Sequence, residues 1–97
     1  MYAAIRQYEI GAGSVRDMMD IVEKFASTMA EQPGFVAYHV IASGSDEIVS
    51  VTVFGDEASA VRSNDVAAGF VRDYLGEFEV TLTAGMSGEV MVTRGAP

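Results

Sequence analysis

The sequence predicts an α+β domain in which two helices cover one antiparallel sheet. Three observations predict it. The stretch 31–54 reads as a helix end, a stop, a strand, a turn and a second strand. Apolar residues recur at helical spacing on either side of that hairpin, over 15–29 and again over 58–74. The outermost segments, 2–10 and 77–93, are extended in character. The resulting order is β-α-β-β-α-β.

Length and composition bound the rest. At 97 residues the chain reads as one domain, 1–97. Its net charge of −8, from 6 basic and 14 acidic residues, argues against nucleic acid or an anionic membrane as partner. The absence of Cys excludes disulfides, Fe–S clusters and thiolate nucleophiles, and one His excludes a multi-His metal site within one chain. No apolar run approaches the ~20 residues of a membrane span. The N-terminus opens on Met1-Tyr2-Ala3-Ala4-Ile5, without a basic region leading into an apolar one. The expectation is a soluble, cytoplasmic protein.

Taken in order, Tyr2 to Ile10 is a first strand with Tyr2, Ala4, Arg6, Tyr8 and Ile10 on one face. Gly11-Ala12-Gly13-Ser14 leads into helix one, with Ser14 as N-cap and Asp17 near the positive end of the helix dipole. Arg16 stands where a dinucleotide fingerprint needs its third Gly, so turn plus cap accounts for these glycines. Val15, Met18, Met19, Val22, Phe25, Ala26 and Met29 form the buried stripe.

Pro33-Gly34 stops the helix, because Pro lacks a donor and clashes with the preceding turn. Phe35–Ala42 and Ile48–Phe54 are rich in β-branched and aromatic residues, joined by the turn residues Ser43-Gly44-Ser45-Asp46. Val36, Tyr38 and Val40, with Val49, Val51 and Val53, are uniformly apolar and are expected beneath the helices. Phe35, Ala37, His39 and Ile41, with Ile48, Ser50, Thr52 and Phe54, would form the other, mixed face. Gly55-Asp56-Glu57 starts helix two, and Ser63-Asn64-Asp65 predicts a kink or a break and recap within it. Gly76 ends it. Phe78–Thr83 then alternates, 84–88 reads as a break, and Glu89–Val92 as a terminal strand before a tail at 94–97.

Two strand–helix units around an antiparallel hairpin give a ferredoxin-like fold with a four-stranded antiparallel sheet. Its open face would carry Phe35, Ile41, Ile48 and Phe54. A second copy is the simplest cover, giving a homodimeric α/β barrel able to enclose a ligand that one short chain could not.

Gln32-Pro33-Gly34-Phe35-Val36-Ala37-Tyr38, followed by Val51-Thr52-Val53-Phe54-Gly55-Asp56-Glu57-Ala58, resembles the antibiotic biosynthesis monooxygenase family. The resemblance runs from Tyr2 to about Val92 and implies a dimeric α/β barrel. It implies one of several activities: cofactor-free oxidation of aromatic phenols, quinol oxidation, haem degradation, or none assigned. The haem-degrading branch has an Asn, a Trp and a His where this chain has Gln7, Phe54 and no His between Asp56 and Gly76. No cofactor, haem or metal is therefore expected. The polyketide-oxidising branch places an Asn and a Trp near the second helix; Asn64 matches the former, and no Trp is present.

His39 is the one side chain that titrates near neutral pH unperturbed. Pointing into the barrel, beside Ser50 or Thr52, it would take a phenolic proton as general base; otherwise it is a hydrogen-bonded packing residue. Asn64, with Ser63, would hold a substrate oxygen or cap a helix. Arg6 and Tyr8 would hold an anionic or phenolic oxygen, or serve packing. Phe35, Ser50, Thr52, Phe54 and Phe70 complete the expected substrate surface. Two functions follow: a cofactor-independent monooxygenase acting on a small aromatic phenol or quinol, or a non-catalytic dimeric barrel binding a small apolar molecule.

Overall fold

The computed structural model describes residues 1–95. Strand β1 spans Tyr2–Ile10, α1 Met19–Ala30, β2 Phe35–Ala42, β3 Glu47–Phe54, α2 Glu57–Tyr74 and β4 Val80–Glu89. The sheet order is β2-β3-β1-β4, every neighbouring pair antiparallel. With both helices on one face, this is the ferredoxin-like βαββαβ fold.

Local chemistry explains the helix starts. Asp17 accepts hydrogen bonds from the backbone N–H and hydroxyl of Ser14 at 2.9 and 3.0 Å. The first turn, Arg16–Met18, is 3-10, and the α-helix proper begins after it. Asp56 caps α2, accepting from the N–H of Ser59 at 2.8 Å and its hydroxyl at 3.0 Å.

The core lies between sheet and helices. Val22, Phe25 and Met29 of α1 and Ala60, Ala67 and Phe70 of α2 meet Tyr8 and Ile10 of β1 and Ile48 and Phe54 of β3. Phe25 makes edge-on aromatic contacts with Tyr38 and Phe70, at 5.6 and 4.9 Å between ring centres.

The hairpin faces differ from the sequence expectation. Ile48, Ser50, Thr52 and Phe54 are all buried beneath the helices, and Val49, Val51 and Val53 lie on the open face. Tyr38 and Val40 do pack against the core, but Val36 is exposed. A bulge in β2 accounts for Phe35 and Val36, whereas the faces of β3 follow from its register, with Ser50 opposite both Arg6 and Val40. Phe35 pairs with Phe54 and Ala37 with Val53, so Val36 is the extra residue and the strand changes parity across it. Phe35 therefore packs against the core with Phe54, their rings 6.3 Å apart. Of the four residues expected to cover the open face, only Ile41 is on it, paired with Val49.

Two further differences concern element ends. No break occurs at Ser63-Asn64-Asp65, and α2 runs unbroken for 18 residues. The Ser63 hydroxyl donates back to the Ala60 carbonyl at 2.6 Å, inside the helix rather than in competition with it. Strand β4 passes through 84–88 and ends at Glu89, with a register shift at Thr83, while 90–95 follow without strand pairing. Residues 96 and 97 of the expected tail lie outside the described residues.

Candidate functional site

Arg6 stands at the centre of β1 on the helix-covered face. Its Nη1 donates to Asn64 Oδ1 at 2.8 Å and to Ser63 Oγ at 3.3 Å, both on α2. Its Nη2 donates to Thr52 Oγ1 at 3.1 Å on β3. Arg6 is 4% exposed, and Ser63 and Thr52 are 1% and 0% exposed. Among the described residues, no carboxylate forms an ion pair with it. The cluster follows from local structure. β3 pairs with β1 so that Ser50 lies opposite Arg6, and Thr52 two residues on shares its face. The unbroken α2 then presents Ser63 and Asn64 downwards onto that face.

Beside this cluster a cavity of about 490 Å³ opens between α2 and the β1–β4 half of the sheet. Arg6 and Tyr8 form its floor. Asn64, Ala67, Ala68 and Val71 form the helix wall, and Leu82, Gly85 and Met86 the strand wall. Gly85 pairs with Arg6, so the position facing the guanidinium across the ladder has no side chain. Leu82 and Met86 are exposed, which leaves the cavity open towards the sheet edge. Arg72, also on the rim, pairs with Asp73 at 3.2 Å, both side chains exposed.

A narrow crevice of about 30 Å³ adjoins the cavity, sharing Tyr8 and Val71, and reaches Tyr38, Ser50 and Phe70. Burial raises the Tyr8 phenol above its ordinary range, against a smaller opposing pull from the Arg6 charge. Burial raises Tyr38 strongly for the same reason. Both phenols stay protonated at neutral pH and remain hydrogen-bond donors.

The structure thus brings together Arg6, Tyr8 and Asn64 around one cavity, with Thr52 holding Arg6 and with Ser50 and Phe70 in the adjoining crevice. Phe35 and Phe54 are core and line neither space. His39 is not part of the cluster. It pairs with Val51 on the open face, so Ser50 and Thr52, expected as its neighbours, lie on the opposite side of the sheet. Sequence reasoning missed the apolar wall of Ala67, Ala68 and Val71 and the gap at Gly85. The run Ala67-Ala68-Gly69 was the available signal, since small residues on a helix face leave room above a sheet.

The model for "Antibiotic biosynthesis monooxygenase" matches residues 1–72, which carry Arg6, Tyr8, Thr52, Ser63 and Asn64. The chain belongs to this family. No match was found among curated proteins. Solved structures share the fold. A protein of unknown function from Nitrosomonas europaea superposes with a TM-score of 0.75 at 15% identity, over 99% of this chain and 94% of that one. SnoaB, a cofactor-independent oxygenase from Streptomyces nogalater, superposes with a TM-score of 0.64 at 16% identity, over 99% of this chain and 96% of that one. A SnoaB variant with an asparagine replaced by alanine gives 0.63 at 17% identity, covering 99% and 96%.

Proposed function

We propose that the chain is a cofactor-independent monooxygenase acting on a small aromatic phenol or quinol held between α2 and the sheet. The observation that carries this reading is the cavity: apolar walls from Ala67, Val71 and Leu82, and one polar end where Arg6 and Asn64 converge. A flat aromatic ring fits between such walls, and its oxygen fits the polar end. Arg6 and Asn64 would hydrogen-bond the substrate oxygen, and Tyr8 would help fix the orientation of the ring. The electron-rich ring then reacts with O2. A phenol carrying hydrogen at the para carbon plus O2 gives a quinone plus water, so the substrate supplies all the electrons. The phenolic proton leaves to solvent at the open rim. The polarity of SnoaB's chemistry, oxygenation without a cofactor, is consistent with this reading.

One observation favours a second reading, a non-catalytic binding protein. The described lining residues of the cavity include no His and no carboxylate, so no side chain there titrates as a base near neutrality. Oxygen uptake decides between them. Incubation with 1-naphthol, whose para carbon carries hydrogen, should consume one O2 per 1,4-naphthoquinone formed, faster than the buffer control. Saturable binding with uptake at the control rate supports the binding protein instead.

The open sheet face supports a homodimer. Ala3, Ile5, Val49, Val51, Val53 and Ile41 lie on it, apolar and only partly covered within one chain.

A further inference from the structure

Arg6 is a permanent positive charge that the described residues answer only with neutral oxygens. A guanidinium has five N–H donors, and three are taken by Ser63, Asn64 and Thr52. The Nε atom is buried without a partner. Among the described residues, the other buried side-chain atom without one is Ser50 Oγ, on the residue opposite Arg6 in the β1–β3 ladder. A cation buried among hydroxyls and an amide is costly, and Met or Leu would serve packing alone better. The chain has 14 acidic residues, yet none of the described carboxylates pairs with Arg6. Two of the six basic residues, Arg6 and Arg72, line the same cavity. With a net charge of −8, the molecule as a whole repels anions, so an anion that binds here does so through a local partner.

We propose that the cavity takes its ligand as an anion, an anionic oxygen on a planar aromatic supplying the counter-ion that Arg6 lacks. This rests on the aromatic-binding reading above and deepens it by naming the charge state. An ionised phenol and an aromatic carboxylate both present such an oxygen. Either would be stabilised by Arg6 in a setting where Ala67 and Val71 keep water from the helix side.

Three probes test this: 4-nitrophenol, whose ionisation is read by absorbance, and the isosteric pair 2-naphthoate and 2-naphthamide, read by calorimetry. The wild type should ionise bound 4-nitrophenol at lower pH than the free phenol, or bind 2-naphthoate at least about tenfold more tightly than 2-naphthamide, the worth of one charge-assisted hydrogen bond. The first result alone assigns the oxygen to an ionised phenol, and the second alone to a carboxylate. Arg6→Gln should abolish the difference, and Arg6→Lys should retain its sign. If circular dichroism shows Arg6→Gln unfolded, the wild-type comparison with Arg6→Lys decides. Equal affinity for naphthoate and naphthamide with an unmoved nitrophenol ionisation overturns the proposal, as does failure of every probe to saturate. Oxygen uptake is read separately. An anion preference without uptake removes the oxygenase reading and leaves this inference standing; oxidation of a phenol without an anion preference does the reverse.

Discussion

Thr52 has no exposed surface, and among the described residues its hydroxyl is the sole partner of Arg6 Nη2, at 3.1 Å. Thr52→Val keeps the shape and removes the acceptor, leaving a charged donor unsatisfied. The variant should lose about 1–3 kcal/mol of stability in urea unfolding. It should also weaken 2-naphthoate binding more than 2-naphthamide binding. Phe70, edge-on to Phe25 and tilted against Tyr74, is a contrasting residue with no polar duty. Phe70→Ala should cost about 3–5 kcal/mol, measured in the same way. The contrast shows where the sequence was readable. Apolar stripes such as Phe25–Phe70 announce themselves by spacing. Ser50 and Thr52 do not, because hydroxyls beneath helices contradict the ordinary rule that polar residues face water. They are buried because Arg6 lies among them, and that proximity is a fact of strand register. Arg6, Tyr8 and Asn64 were each identifiable as candidates from residue type, but only the register of β1 against β3 and the continuity of α2 bring them together.

At the level of elements, the junctions around the hairpin carry the most constraint. Gly34 has φ +81, and a Cβ there would stand 2.8 Å from the Ser59 hydroxyl, while its carbonyl accepts from Gly55 N–H at 2.7 Å. Gly34→Ala should lower the melting temperature, with a loss of at least about 1 kcal/mol. The Asp56 cap of α2 should show itself through pH. Hydrogen bonds from Ser59, its backbone N–H first, lower the Asp56 pKa below the ordinary aspartate range. A lowered pKa means the contribution is full above the unfolded-state value and disappears as pH falls through the folded-state one. The melting-temperature gap between wild type and Asp56→Ala should therefore be widest at neutral pH and close under acid. Both junctions were legible, from Pro33-Gly34 and from the acids after Gly55. The bulge at Val36 was not, because no local residue type demands it, and it turned Phe35 and Val36 to the faces opposite those expected. Nor were the faces of β3, which depend on its register against β1.

At the scale of the molecule, the faces of β3 decide where a dimer can be tested. Ile48 is core, so a charge there would unfold the chain rather than separate two copies. Val51 is at the centre of the open face, between Ile5 on β1 and His39 on β2. Val51→Asp should convert a dimer into a folded monomer in sedimentation velocity, with circular dichroism unchanged. A wild type that sediments as a monomer at micromolar concentration would remove the dimer from the proposal. The order of elements, and with it the fold, was legible from periodicity and turn chemistry. The cavity was not, because it depends on what is missing: side chains at Ala67, Ala68 and Gly85 that would otherwise fill the layer between helix and sheet.

The gap at Gly85 also has a consequence in time. β4 is an edge strand, hydrogen-bonded to β1 on one side only, and exposed along nearly its whole length. No atom of α2 lies within 4 Å of where a Gly85 side chain would begin, so at that point of the strand the helix gives no side-chain support. A ligand seated in the cavity would touch both walls and act as the missing tie. Amide hydrogens of β4 should exchange with solvent faster than those of β1 in the free protein and slow selectively once the cavity is filled.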